Sequence, residues 1–162
     1  MKAASVFLLA ATVGTGFLGG IGFLNFIGFG PAMKNTPAEH LVSHWQVLDG
    51  YMRVRMPIFG SVILLSLIGS AVLLVKQPYT QPIWFLIIAV LFILADIFVA
   101  TRYNFSFNRM IQSITPETIP GNFEYLRGRS VLGFSIRSVC MIGAFVSTLT
   151  ALFLHTARGL QR

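Results

Sequence analysis

The stretch PIWFLIIAVLFILADIFVA, residues 82–100, decides the class of protein to which this chain belongs. An apolar run of about 20 residues, wound as an α-helix, covers the roughly 30 Å of hydrocarbon in a bilayer. Three further apolar runs, at about residues 3–29, 56–75 and 130–154, have comparable length. The sequence therefore predicts an all-α fold, a four-helix transmembrane bundle in up-down-up-down order, as one integral membrane domain over residues 1–162.

The composition supports a multi-pass integral membrane protein. Hydrophobic residues make up 55% of the chain and charged residues 10%, against about 25% charged residues in soluble domains. The apolar runs are continuous, whereas the strands of a membrane β-barrel alternate apolar and polar residues. The net charge of +7 is explained by Lys and Arg residues that flank the spans and meet anionic headgroups. We therefore expect membrane lipids as partners, and no nucleic acid.

Both central spans are predicted to continue as helices beyond the membrane. Thr36, Pro37 and Glu39 have the character of a helix start, with a capping hydroxyl, a proline at the first position and an acid in the first turn. The second helix is therefore expected to begin at about residue 38, and the third to extend to about residue 111. In the first span, Gly16 and Gly20 share a face with Gly28 and predict close helix packing there.

The basic residues predict how the chain is oriented. With four crossings, both termini and the tight turn KQPYTQP, residues 76–82, lie on one side of the membrane. The basic residues on that side are Lys2, Lys76, Arg158 and Arg162, and those on the other side are Lys34, Arg53, Arg55, Arg102, Arg109, Arg127 and Arg129. Because Lys and Arg are more frequent in cytoplasmic loops, the long loops are expected in the cytoplasm.

Polar residues gather where the third span ends. Asp96, Asn104 and Asn108 stand at multiples of four residues, which places them in one stripe along a helix. An acid at membrane depth usually faces the bundle interior and is paired. Arg137 lies deep in the fourth span and is a candidate partner; Asp96, Asn104 and Glu124 remain open as its partner. The exposed side of the same helix carries Arg102 and Arg109, which are expected to anchor in headgroups.

The histidines divide between the two ends of the bundle. His40 and His44 have the i, i+4 spacing that can hold a metal, but they are half of a site, and Asp49 or another helix would have to complete it. Acid–base chemistry and hydrogen bonding at the membrane interface are the other two roles left open. His155 lies at the opposite end, and the roughly 30 Å of membrane between it and His44 argues against a haem held by these two residues.

Three motifs resemble a family of small four-helix membrane proteins that includes the fungal anthrone oxygenases. They are FGP at residues 29–31, HWQVLDGYMRVRMP at residues 44–57 and YNFSFNRMI at residues 103–111. In the last helix Arg137 takes the place of the family's arginine, while Ser130 and Phe134 stand where the family has Trp and Asn.

This resemblance implies oxidation of a hydrophobic, aromatic or quinone-like substrate, by oxygenation of the anthrone type. On that model the catalytic candidates are His44 or His40 as the base, with Asn104, Asn108 and Arg137 holding an enolate-like oxygen. The model predicts a cavity lined by His44 and these three residues, with no metal assigned and any cofactor undetermined. The alternatives are a non-enzymatic accessory subunit, with partner subunits or further copies of the chain, and a haem- or metal-binding electron-transfer component.

Overall fold

The structure, a computed structural model, describes residues 2–75 and 80–159. Its helices are α1 (Lys2–Leu24), a π-helical turn (Asn25–Phe29), α2 (Gly30–Asn35), α3 (Ala38–Val75), α4 (Gln81–Val99), a second π-helical turn (Ala100–Asn104), α5 (Phe105–Ser113) and α6 (Phe123–Gly159). In the described part of the chain, four helical stretches are long and apolar enough to cross a membrane, and they are Ala3–Asn35, Ala38–Val75, Gln81–Ser113 and Phe123–Ala157. The predicted four-helix bundle is confirmed.

The helices form a closed ring in chain order. α6 packs most extensively against α1 and α4, and α3 packs against both α1 and α4. The buried positions recur every three or four residues, as in the series Ile63, Leu67, Ser70 and Leu74 on α3, which is the spacing of one helix face. The main core lies along the bundle axis between these faces.

The bundle is longer than a bilayer is thick. The spans contain 33 to 38 residues, which corresponds to about 50 Å or more of helix, whereas the hydrocarbon measures about 30 Å. We call the end of the bundle that carries residues 36–37 and 114–122 the loop end. There a second apolar cluster, the outer core, is formed by Met33, Leu41, Val42, Trp45, Phe107, Ile111 and Phe123.

Several local expectations change in the structure. The hydroxyl of Thr36 donates to the carbonyl of Ala32 at 2.7 Å, so this side chain closes α2 and does not cap α3. α3 does begin at Ala38, as expected, and it continues through Gly50 and Pro57 to Val75. α6 begins at Phe123, seven residues before the expected start of the span. The predicted turn KQPYTQP falls largely on residues 76–79, which lie outside the described residues, as does Arg162.

Of the glycines predicted to permit close helix packing, Gly16 lies at such a contact, while Gly20 and Gly28 do not. A Cβ on Gly16 or Gly19 would lie 3.3 or 3.2 Å from the ring or Cβ of Phe145, and one on Gly22 would lie 3.1 Å from the backbone oxygen of Ser138. A Cβ on Gly20 would have nothing within 4 Å. The close contact between α1 and α6 therefore follows Gly16, Gly19 and Gly22.

Candidate functional site

The polar stripe of the third span faces the bundle interior, but it is shared between two partner helices. Asp96 and Asn104 are buried and contact α6. Asn108 is partly buried and contacts α3. The π-helical turn at Ala100–Asn104 lies between these contacts. A π turn carries more residues per turn than an α-helix, and such turns are frequent at functional sites.

Arg137 pairs with Asp96, which decides among the three partners left open by the sequence. Its Nε donates to Asp96 Oδ1 at 2.8 Å, and its Nη2 donates to Oδ2 at 3.3 Å. The two side chains are only 17% and 13% exposed. Two parallel bonds between a guanidinium and a carboxylate make a well-defined ion pair, so this contact fixes α6 against α4.

Asn104 is bonded to the start of α6. Its Nδ2 donates to the backbone oxygen of Ser130 at 3.0 Å and to the Ser130 hydroxyl at 2.8 Å. Its Oδ1 is buried and has no hydrogen-bond partner among the described residues. Gly133 makes room for this arrangement, since a Cβ there would lie 2.7 Å from Tyr103 Cβ and 2.9 Å from Asn104 Oδ1.

Asn108 is the centre of a hydrogen-bonded chain with α3. It accepts from Trp45 Nε1 through Oδ1 at 3.1 Å and donates through Nδ2 to Asp49 Oδ1 at 2.8 Å. Gln112 Nε2 donates to the second oxygen of Asp49 at 3.2 Å. A further bridge comes from Gln46, whose Nε2 donates to carbonyls in the segment that ends α5. The sequence offered Asp49 as a third metal ligand, whereas in the structure both of its oxygens accept hydrogen bonds from α5.

The two predicted histidines lie elsewhere, on the wall of an open groove between α2 and α3. Its volume is about 640 Å³, and it is lined by Phe29, Ala32, Met33, Thr36, His40, Leu41, Ser43, His44, Trp45 and Val47. We call it the histidine groove. Asn104, Asn108 and Arg137 are not among its lining residues. The five predicted site residues therefore form two groups, and Trp45 connects the groove to the Asn108 chain.

The described part of the chain contains no preformed metal site. Across residues 2–75 and 80–159, no group of three or more His, Cys, Asp or Glu side chains is placed to hold a metal ion. His155 is buried at the opposite end of the bundle, and its Nε2 lies 3.1 Å from the hydroxyl of Ser5. It joins the last helix to the first, far from the groove.

No family model, curated protein or solved structure matches this chain. The chemistry that the site allows therefore follows from its own residues. An imidazole is the side chain best suited to exchange a proton near neutral pH, and His40 and His44 place two of them beside apolar side chains. This combination of an apolar wall and a few polar groups is typical of sites for small hydrophobic molecules.

Proposed function

We propose that this protein binds a hydrophobic aromatic or quinone-like molecule in the histidine groove and oxidises it with O₂. The observation that carries the proposal is the position of His40 and His44 on the wall of a groove whose other lining is largely apolar. The resemblance to the anthrone-oxygenase-like family supports the same chemistry. The groove adjoins Phe29 and Met33 at the end of the first span, so a membrane-dissolved substrate reaches it from the bilayer.

The proposed reaction begins with removal of a proton from an activated carbon. In an anthrone this is the methylene between two aromatic rings, and His44 or His40 accepts its proton. The resulting carbanion forms a C–O bond to O₂, and the peroxide takes up a proton. Removal of the second methylene proton then forms the new carbonyl as the O–O bond breaks, and the departing hydroxide takes up a proton to become water. One anthrone and one O₂ yield one anthraquinone and one water, which balances atoms and electrons without another reductant. The protein supplies the base and the orientation of the substrate.

The proposal gives Asn104, Asn108 and Arg137 a different role from the one expected of an oxyanion site. Their hydrogen bonds are made to Ser130, to Asp49 and Trp45, and to Asp96 respectively. Residues whose donor groups are already engaged inside the bundle are poorly placed to hold a substrate oxygen. We assign them to helix packing, and we assign the chemistry to His40 and His44.

The test is O₂ uptake by purified protein supplied with anthrone, with anthraquinone measured by chromatography and heat-inactivated protein as the background for autoxidation. We expect turnover above background, and a loss of at least about tenfold in His44→Gln or in the variant that also carries His40→Gln. Trp84→Phe is the matched control, because Trp84 is 64% exposed near the start of α4. Equal rates in the parent and the double variant would contradict the proposal.

A second candidate is a non-enzymatic accessory subunit of a membrane complex. It is favoured by the bonding of the polar stripe within the bundle and by exposed aromatic side chains such as Phe17, Phe98 and Phe153, which offer contacts to other helices. It predicts no anthrone turnover, together with co-purification of the chain in a larger complex.

We also propose that the loop end of the bundle faces the cytoplasm. The support is the number of basic residues at that end, among them the exposed Arg53, Arg55, Arg102 and Arg109, and the general excess of Lys and Arg in cytoplasmic loops.

A further inference from the structure

Trp45, which lines the histidine groove, is held in one orientation by aromatic neighbours. Its ring centroid lies 6.1 Å from that of Phe107 and 5.6 Å from that of Phe134, both with edge-to-face geometry. Only 7% of Trp45 is exposed. The indole is therefore the base of the groove, with most of its surface packed into the outer core.

The hydrogen bonds at Trp45 have a direction that their chemistry enforces. An indole N–H can only donate, and an ionised carboxylate can only accept. The amide of Asn108 lies between the indole of Trp45 and the carboxylate of Asp49, and it has one acceptor and one pair of donors. Only one of the two amide orientations satisfies both neighbours, since the flipped amide would set donor against donor and oxygen against oxygen.

Asp49 is itself fixed in place by a second helix. It is 8% exposed, and its Oδ2 accepts from Gln112 Nε2 at 3.2 Å. The same Nε2 also donates to the backbone oxygen of Gln46 at 3.2 Å. Both carboxylate oxygens thus accept hydrogen bonds from side chains of α5, and Asp49 is not among the residues that line the groove.

We propose that Asp49 is a positioning residue of the histidine groove, which orients the Asn108 amide so that the amide in turn fixes the indole of Trp45 as a rigid base for a planar fused-ring ligand. The inference rests on the proposed function, because it assumes that the groove is the ligand site. A rigid, flat base favours a rigid, flat ligand, since neither partner loses much conformational freedom on binding. A flexible acyl chain gains no such advantage.

The chain of bonds can be broken and rebuilt with isosteric substitutions. Asn108→Asp sets two carboxylates against each other across the present 2.8 Å contact. Asp49→Asn keeps an acceptor for Asn108 but turns its new amide donors toward Gln112. We call the double variant that combines Asp49→Asn with Asn108→Asp the swap. In the swap, the new carboxylate at position 108 accepts from Trp45 and from the new amide at position 49. That amide's oxygen accepts from Gln112, so every bond of the chain is restored.

The experiment uses the full chain with Trp84→Phe, which leaves Trp45 as its one indole. The first measurement is the NMR resonance of the Trp45 indole N–H in the absence of ligand. The second is quenching of Trp45 fluorescence by anthrone. The chain with Trp45→Phe is the matched control, because its remaining Trp84 is 64% exposed and reports partition of anthrone into the micelle.

We expect Asn108→Asp to weaken anthrone binding about tenfold and Asp49→Asn about threefold, each with a shifted indole resonance. The swap is expected to return the affinity to within about twofold of the parent and to restore the resonance. An unchanged resonance and affinity in Asn108→Asp, or a swap no better than Asn108→Asp, would overturn the inference. If a single variant does not fold, a folded swap that binds anthrone supports it, and a swap that does not bind contradicts it.

Failure of the proposed function has a different signature. In that case anthrone quenches the chain with Trp84→Phe no more than it quenches the control chain with Trp45→Phe. The indole resonance of Trp45 still shifts in the single variants and returns in the swap. The orientation of Trp45 by Asp49 would then be supported as a property of the bundle, and its role toward a planar ligand would be rejected.

Discussion

Arg137 Nε lies 2.8 Å from Asp96 Oδ1, and this ion pair joins α6 to α4 with both side chains less than one-fifth exposed. Such a pair is costly to break from one side only, because the remaining charge stays buried without a partner. Replacement of both partners by apolar residues removes that penalty.

We therefore expect Asp96→Asn to lower the free energy of unfolding by about 3 kcal/mol. Combined Asp96→Leu and Arg137→Leu substitutions should recover most of that loss. The measurement is denaturant unfolding in micelles, followed by helical circular dichroism. A double variant no more stable than Asp96→Asn would show that the unpaired charge of Arg137 does not cause the loss of stability.

Gly133 is expected to tolerate no side chain. A Cβ there would lie 2.7 Å from Tyr103 Cβ and 2.9 Å from Asn104 Oδ1, so Gly133→Ala should destabilise the bundle by about 1 to 3 kcal/mol. The matched control is Gly60→Ala in the middle of α3, where a Cβ would meet nothing within 4 Å. That change should be neutral or stabilising, since Ala favours a helix more than Gly. Equal effects of the two substitutions on the unfolding midpoint would argue against a close contact at Gly133.

The side chains of Asn104 and Ser130 are expected to be energetically coupled. A double-mutant cycle with Asn104→Ala and Ser130→Ala should give a coupling energy of about 1 kcal/mol, because the serine hydroxyl accepts from Asn104 Nδ2 at 2.8 Å. Unfolding of the parent, both single variants and the double variant supplies the cycle. Strictly additive losses would mean that the two side chains do not interact.

The orientation of the chain can be read from labelling of an introduced cysteine. Thr118 is exposed in the loop between α5 and α6, and the native Cys140 is buried. In a chain with Cys140→Ala and Thr118→Cys, an impermeant maleimide should label the protein only after the cells are permeabilised. Labelling of intact cells would place the loop end outside.

The sequence was sufficient to predict the helices and the inward stripe because both follow from the polarity of successive residues. The partner of Arg137 could not be predicted from the sequence, since it depends on the axial offset between α4 and α6. The sequence also could not show the π-helical turn at Ala100–Asn104 or the contact of that turn with Gly133. A cavity lined by His44 was predicted, but the other walls of the groove were not, because they depend on how α2 lies against α3.

Trp45 makes a contact that the sequence alone could not supply. Its indole N–H needs a hydrogen-bond acceptor, and only the packed structure identifies Asn108 as that acceptor. Asn108 was expected at the chemical site, whereas the structure places it behind Trp45, bonded to Asp49. The residues were therefore chosen from the right helices, but their grouping required the packed structure.

The central claim, that the ligand occupies the histidine groove, is tested most directly by carbethoxylation of the histidines with diethyl pyrocarbonate. The chain has three histidines, and mass spectrometry of peptides gives the rate at each one. Saturating anthrone should slow the modification of His40 and His44 at least about fivefold and leave His155, which is at the other end of the bundle, unchanged. Equal rates at His40 and His44 with and without bound anthrone would contradict the claim.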